Sequence, residues 1–516
     1  MKSVFRPASL FSILAMVAGM FILVLIFAQH KLIMHFLFNS DTFYLPALYI
    51  DLFRNGGSLS AWHLTPAPYF VPDWPIYFLS MGIFGQPYQA TAAFFIAQIF
   101  LSFCLLVAIN RQFMTTHHAL AASACSVLFF CLLAARMVEP FSFILLSAYH
   151  YGAFLMLLLA AYCVISALQD TSAAHVNRCG ATIFLVALLA SLSDKLFLVQ
   201  FSLPAIFVLV YLHAAGMTDR KTLIVLLSGT GGGSVLGPLL YKFLVPNSMS
   251  APAELGLDNF SRNAHDLLAV VIRIAEANWF AMAVVALFYI AVTALPVLRR
   301  KTGETMFAHS SSFMFVVVFS LCSGFAIVAV ALLNKMPFNS RYLIPVFALP
   351  VLFAPILIFG GFKSAPANWG GFAMLIVSVL SVIALTRAAV DGAVTPKKDF
   401  YPDDVACIDA AAAKYRLKNG IAEYWDAKRV AVLSKEGLNV AQVFGDLSPQ
   451  RWIMSNAAFK GVYDFALINP DPRQPTQPDE RRIVELNGLP KASIQCGAIK
   501  MLIYPVNGLA TDRRSH

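Results

Sequence analysis

The chain has 516 residues, of which 59% are apolar and only 12% charged, and it carries 44 phenylalanines. No water-soluble domain buries that share of apolar side chain, so this is a polytopic membrane protein. The formal charge of +10 does not point to nucleic acid: 17 of the 37 Lys and Arg fall after residue 387 and the others are spread along the membrane loops, with no basic stripe or recognition motif.

The first apolar run, 10–28, follows Lys2 and Arg6 but is too long for the apolar core of a signal peptide and has no small-x-small cleavage site. It reads as a retained first span with a cytoplasmic amino terminus. Runs of about 17 to 25 apolar residues give about eleven spans in all, near 8–29, 87–109, 119–137, 150–168, 180–193, 196–214, 223–244, 278–297, 312–333, 342–360 and 370–387. The run 75–84 is too short to span and reads as re-entrant or interfacial.

Between the first two spans lies a long polar loop, 30–86, whose section 40–77 is punctuated by Pro66, Pro68, Pro72 and Pro75. Leu45, Leu48, Tyr49 and Leu52 recur at helical spacing after Pro46, which predicts a short amphipathic helix ended by Gly56 and Gly57. Trp62, Tyr69, Phe70 and Trp74 suit headgroup depth. Asp41, Asp51, His63 and Asp73 stand among them.

An odd span count with the amino terminus inside places everything after residue 387 outside. The short loops then assigned to the cytoplasm are dense in Arg and Lys, among them Arg111, Arg178, Arg220, Lys221, Arg299, Arg300, Lys301 and Lys363, as the positive-inside rule expects. Most acids of the membrane part fall on the other face. In the seventh span Gly229, Gly233 and Gly237 recur every fourth residue; no Lys-Ser/Thr pair follows, so this predicts close helix packing or a kink at Pro238, and not a phosphate loop.

After residue 387 the composition turns mixed, predicting a small α/β domain over 388–516. Residues 403–417 and 450–459 read as helices, and 429–433, 463–468 and 494–504 as strands. Cys104, Cys125, Cys131, Cys163, Cys179 and Cys322 belong to the spans as packing residues. Cys407 and Cys496 stand alone in the outer domain, where an oxidising compartment would pair them.

Ionisable side chains at span ends are costly unless paired or used. Glu139, His150, the Asp194–Lys195 break between spans five and six, and Arg341 with Tyr342 all fall at outer span ends. Each also has a structural reading. Asp41 could cap the loop helix, Asp51 could pair with Arg54, and Asp73 could be a turn acceptor. Asp194 could pair with Lys195, and Arg341 could reach to lipid headgroups. No His-Cys metal spacing and no nucleophile elbow is present.

The stretches SDTFYLPALYIDL, PYFVPDWPIYFL, YHYGAFL, SDKLFL, RYLIPVF and GIAEYWDAKRVAVLS resemble bacterial membrane proteins of the GT-C class of glycosyltransferases. These use polyprenyl-phosphate sugars and carry an acidic residue just after the first span. The resemblance covers most of the chain at the level of pattern. It departs from the class in having Asp41 beside Ser40 where two adjacent acids are common.

The resemblance implies an inner (cytoplasmic) membrane enzyme whose GT-C-like transmembrane domain, 1–387, carries a carboxy-terminal extracytoplasmic domain, 388–516. It would move a sugar from a polyprenyl-phosphate donor to a glycan, lipid or protein acceptor. Asp41 would be the catalytic carboxylate and Asp73 the second candidate. Arg341, Lys195 and Tyr342 would hold the donor phosphate, and His63, Trp74, Glu139, His150 and Asp194 would line the substrate cavity. Tyr424, Trp425 and Asp426 are candidates to stack on a sugar or to dock the outer domain. No cofactor is assigned, and a divalent cation is left open. A lipid-linked substrate transporter or flippase would instead carry ionisable groups at mid-span and internal repeats. A polymerase or ligase of surface glycans, and a non-catalytic membrane assembly protein, are also compatible with the pattern of spans and loops.

Overall fold

A computed structural model describes residues 5–245, 247, 254–302, 310–336, 338–360, 367–392, 394–470 and 477–512. Helix α1 (Phe5–Ala28) leads through the single turn α2 (Met34–Leu37) into the first loop, which holds α3 (Tyr44–Phe53), the short strand β1 (Trp62–His63) and α4 (Asp73–Phe84). The membrane part continues with α5 (Pro87–Asn110), α6 (Thr116–Ala135), α7 (Tyr151–Gln169), α8 (Ala173–Ser193), α9 (Leu203–Ala214) and α10 (Arg220–Leu244). It ends with α11 (Phe260–Ala277), α12 (Trp279–Thr302), α13 (Ser310–Leu333), α14 (Ile344–Pro355) and α15 (Ala367–Val390).

Among the described residues ten helices are long and apolar enough to cross a membrane. The expected span 196–214 is helical over that range, with a π turn at Leu198–Ser202 ahead of α9. At about 1.5 Å per residue it would reach roughly 28 Å, close to the hydrocarbon thickness, although its apolar helix Leu198–Ala214 is shorter than the other ten. The fifth span starts at Ala173, earlier than its apolar run. Helix α11 was not foreseen; Leu267, Val270, Val271 and Ile274 recur at helical spacing there, and Val270 and Ile274 are buried.

Helices α6 and α7 are buried along most of their length and form the centre of the bundle, while α12 and α15 face outward. Helices α8 and α10 approach so closely that a Cβ on Gly229 would sit 2.6 Å from the Gly180 carbonyl oxygen, and one on Gly233 2.4 Å from that of Phe184. The four-residue glycine spacing is therefore a packing seam, and α10 runs unbroken through Pro238. Cys125, Cys131, Cys163 and Cys179 are buried, whereas Cys104 is exposed on the surface of its span and is not a core packing residue.

The carboxy-terminal domain contains α16 (Asp403–Tyr415), β2 (Asn419–Ala422), α17 (Tyr424–Leu433), β3 (Asn439–Gln442), β4 (Met454–Ser455), β5 (Val462–Tyr463), β6 (Phe465–Ile468), α18 (Glu480–Asn487), β7 (Ala492–Cys496), β8 (Ile499–Ile503) and β9 (Leu509–Ala510). Its five-stranded sheet has the order β3-β2-β6-β8-β7, parallel among the first three and antiparallel thereafter. Alternate residues feed two cores. Phe465 and Leu467 pack with Val405, Ile408 and Val430, and Ala466 and Ile468 with Ile421 and Ile483.

Three sequence expectations fail here. Residues 429–433 lie within helix α17, because the apolar positions Ala427, Val430 and Leu433 suit a helix face as well as a strand. Residues 450–459 hold β4 and a 3-10 turn in place of a helix, since β4 pairs with β1 of the first loop (Trp62 with Ser455, His63 with Met454). Residues 494–504 are a hairpin, turned at Gly497 with φ 63°. Cys407 and Cys496 are disulfide-bonded with Cα atoms 5.5 Å apart, within the range such a bridge requires.

The domain is fixed to the membrane part at several points. Phe400 stacks on Phe38 at 4.9 Å. The Lys397 amide donates to the Ala28 carbonyl at 2.7 Å, and Gln89 Nε2 to that of Lys398 at 2.7 Å.

Candidate active site

Where the first loop, the segment before α7, the turn before α14 and the carboxy-terminal domain meet, they enclose a cavity of about 440 Å³. Asp41, Tyr69, Asn339 and Arg341 line its membrane side, and Tyr424, Trp425, Gln450 and Trp452 line it from the domain. The first wall is ionic and polar, the second aromatic with one amide.

Asp41 is placed by an Asx turn that the sequence reading missed. Asn39 Oδ1 accepts the amides of Asp41 at 2.9 Å and Thr42 at 3.1 Å, while Asn39 Nδ2 donates to the Phe36 carbonyl at 2.9 Å. An Asn followed by Ser-Asp-Thr carries the composition of such a turn. The carboxylate is thus free of helix capping: α3 has no side-chain cap, which overturns the capping reading. Instead Tyr424 Oη donates to Asp41 Oδ1, Tyr149 Oη lies 3.5 Å from Oδ2, and Arg341 Nη1 lies 3.7 Å from Oδ2. Burial, and then the charge of Asp41, push the Tyr424 hydroxyl well above its ordinary range, so it stays a donor.

Tyr424 is itself held from behind. The buried Ser40 hydroxyl donates to the carbonyls of Tyr424 and Trp425, and Glu423 caps α17 by accepting the Trp425 and Asp426 amides. The buried Lys428 ammonium sits 4.2 Å from the Tyr424 ring centre and donates to Gln442 Oε1. Burial lowers the Lys428 pKa to about 7, and burial with the neighbouring Asp426 raises that of Glu423 to about 7.

Arg341 lines the cavity. Asn339 Oδ1 accepts its backbone amide at 3.1 Å, and its guanidinium lies 5.5 Å from the Tyr149 ring and 6.0 Å from that of Tyr342. Its Nε is buried and has no hydrogen-bond partner. A guanidinium with one loose ion pair and one orphaned donor, facing a cavity, is arranged for an oxyanion.

Behind the cavity wall, His150 and Asp194 form a buried pair, Nδ1 to Oδ2 at 2.6 Å, and His150 Nε2 lies 3.3 Å from Tyr69 Oη. Tyr342 packs its ring edge on His150 with centroids 5.5 Å apart. Asp194 is therefore not paired with Lys195, whose ammonium lies 4.8 Å from the Tyr241 ring centre. Asp73 is buried outside the cavity in the first turn of α4. Its Oδ2 accepts the Ala148 amide at 2.7 Å, and burial raises its pKa to about 7. A Cβ on Gly152 would fall 2.0 Å from Asp73 Oδ1, so glycine at the start of α7 is what admits the carboxyl.

Other expected site residues lie elsewhere. His63 faces Asn456 at 3.0 Å in the β1–β4 ribbon, Trp74 Nε1 donates to the Pro68 carbonyl at 2.8 Å, and Glu139 accepts the Ser340 hydroxyl. None of them lines the cavity. Asp51 accepts Trp62 Nε1 at 2.6 Å while Arg54 donates to the Gly85 carbonyl, so those two are not a pair. Among the described residues no group of three or more His, Cys, Asp or Glu could hold a metal ion, and Asp41 is the single acid lining the cavity.

No protein-family profile and no curated protein sequence matches the chain. Among solved structures it is similar to ArnT from Cupriavidus metallidurans in the apo state, with a TM-score of 0.53 and 11% identity over 92% of this chain and 94% of that one. It is also similar, with a TM-score of 0.46 and 13% identity, to the arabinofuranosyltransferase AftD from Mycobacteria, over 96% of this chain and 40% of that one. ArnT is a GT-C glycosyltransferase, and the GT-C-like fold expected from the sequence is the fold observed: a multi-pass helical membrane part with a small sheet-containing domain at its carboxy terminus.

Proposed function

We propose that the chain is an integral-membrane glycosyltransferase that moves a sugar from a polyprenyl-phosphate donor to the hydroxyl of a glycan, lipid or protein acceptor. The observation that carries this reading is the Asp41–Arg341 pair at one cavity, 3.7 Å apart, with the Arg341 Nε buried and unpartnered. The GT-C fold supports it, as a scaffold on which such a site is at home.

In this reading Arg341 clamps the donor phosphate with its free donors, and Asp41 takes the proton of the acceptor hydroxyl as that oxygen attacks the anomeric carbon. The bond from that carbon to the phosphate oxygen breaks with its electron pair left on the phosphate, where Arg341 stabilises the growing charge. One carboxylate at the acceptor supports one displacement, so the anomeric configuration inverts. Tyr424 holds Asp41 in place, and Trp425 and Trp452 offer faces on which a sugar ring can stack. The Lys and Arg density of the short loops supports an extracytoplasmic cavity and outer domain in a bacterial inner membrane.

The test is analysis of lipid-linked sugars and their products in cells carrying the wild-type chain, Asp41→Asn or Arg341→Ala. Loss of transfer by Asp41→Asn at normal protein level, with weakened donor binding by Arg341→Ala, is expected. Full transfer by Asp41→Asn would remove Asp41 from the mechanism.

A further inference from the structure

Behind the cavity lies a chain of three buried polar groups, Asp194, His150 and Tyr69, whose last member lines the cavity. Two of them stand in backbone conformations that L side chains rarely adopt: Tyr69 has φ 61° and His150 φ 66°, with Ala148 at φ 60° between the same walls. Left-handed backbone costs a non-glycine residue about 1 kcal/mol or more, so surrounding contacts must impose it. They do. The Tyr69 amide donates to the Ser193 carbonyl at 3.0 Å and the Val71 amide to Ser193 Oγ at 2.9 Å, which ties Tyr69 to the residue next to Asp194. Asp194 Oδ1 in turn accepts the Leu196 amide at 3.0 Å.

Donor and acceptor accounting gives this chain two states. Asp194, as a carboxylate, only accepts, so His150 carries a proton on Nδ1. A neutral ring then presents a lone pair at Nε2, and Tyr69 must spend its single O–H on it at 3.3 Å. In that state Tyr69 offers the cavity no proton. The hydroxyl can turn to a ligand only if Nε2 gains a proton and donates to the Tyr69 oxygen instead. Burial pushes the Tyr69 hydroxyl well above its ordinary range, so it remains a neutral donor throughout.

Resting on the donor reading above, we infer that Asp194, His150 and Tyr69 are a phosphate-coupled proton relay: binding of the donor or product phosphate draws one proton from solvent onto His150 and swings the Tyr69 hydroxyl onto a phosphate oxygen. The proton comes from a solvent hydronium, whose O–H bond breaks as the Nε2–H bond forms; no other covalent bond changes. The gain is one positive charge behind the leaving group and a second hydrogen bond beside Arg341, both matched to a phosphate whose negative charge grows as the sugar departs. Tyr69 touches the phosphate; His150 and Asp194 are positioning residues that act through it. The other titratable or charged groups facing the relay are Tyr342 against the His150 ring, Asp73 near Asp194, and Arg341 and Asp41 across Tyr69.

The probe is farnesyl phosphate bound to the full chain in detergent, with farnesol as the unphosphorylated control. Dissociation constants are measured from about pH 6 to about pH 8.5, the span in which an imidazole titrates, for wild type, His150→Gln and Tyr69→Phe. Linkage of one proton makes wild-type affinity fall with rising pH up to about tenfold per unit more steeply than in either variant. The second ionisation of the phosphate contributes equally to all three proteins. Gln at 150 does not titrate, and Tyr69→Phe leaves the His–Asp pair whole, so either variant alone decides if the other fails to fold. Equal pH slopes in wild type and variants, with affinities lowered uniformly, would show a purely structural role and overturn the relay while leaving the donor reading standing. A wild type that binds farnesyl phosphate no better than farnesol at any pH would overturn both.

Discussion

Tyr424 and Asp41, separated by 383 residues in the chain, are joined by a hydrogen bond from the phenol to the carboxylate. The carboxy-terminal domain therefore supplies the donor that orients the acid of the membrane part. A hydrogen bond to a charged group is worth about 1.5 to 3 kcal/mol. Tyr424→Phe should accordingly lower kcat/KM for transfer by up to roughly 10- to 100-fold, with a modest fall in melting temperature, measured on purified protein with a lipid-linked sugar. Unchanged kinetics would make Tyr424 a docking residue only.

Gly152→Ala places a methyl group 2.0 Å from Asp73 Oδ1 and 2.9 Å from Pro72 Cδ. The α4 turn has to shift, at a cost of about 1 to 3 kcal/mol, read as a lowered melting temperature. Gly231→Ala, where a Cβ meets nothing within 4 Å, is the matched control and should be neutral or slightly stabilising.

Asp73 supplies a pH dependence of defined sign. Burial raises its folded-state pKa to about 7, far above the ordinary carboxylate range, so near neutral pH the folded chain holds a proton that the unfolded chain has lost. Its contribution is favourable at low pH and declines as pH rises from the unfolded to the folded value. Asp73→Asn, which keeps an oxygen for the Ala148 amide, should flatten this slope and raise the melting temperature relative to wild type above about pH 7. A variant with the wild-type slope would refute the assignment.

The Cys407–Cys496 bridge closes a separation of 89 residues, which the chain-entropy account values at about 4.5 kcal/mol. Replacing both cysteines by alanine should leave α1–α15 folded while the carboxy-terminal domain becomes the first part digested by protease. Transfer should fall with it, because the domain brings Tyr424 and Trp425 to the cavity.

How much of this was legible depended on the range of the interactions involved. The spans, the loop helix α3 and the glycine seam follow from periodicity and apolar length, which are local properties. Arg341 stood out because charge at a span end is costly, and Asp41 because the resemblance places an acid just after the first span. The roles of Tyr424, Tyr69 and Asn39 could not be read in the same way. Tyr424 acts on a residue 383 positions away, and Tyr69 gains its place through Ser193. Residues 450–459 were misassigned for the same reason: β4 exists because β1 lies beside it, and neither two-residue strand carries a period of its own. Likewise Asp51 and Arg54 have helical spacing, yet Trp62 and Gly85 claim them first.

The β1–β4 ribbon and the Tyr424–Asp41 bond also set an order of events during synthesis. At roughly 5 to 20 residues per second, Asp41 leaves the ribosome roughly 20 to 80 seconds before Tyr424. Through that interval the carboxylate lacks the Tyr424 phenol, and Trp62 and His63 have no strand to pair with. The pocket is thus completed only once Tyr424 has been made, and a shorter nascent chain cannot present a finished site.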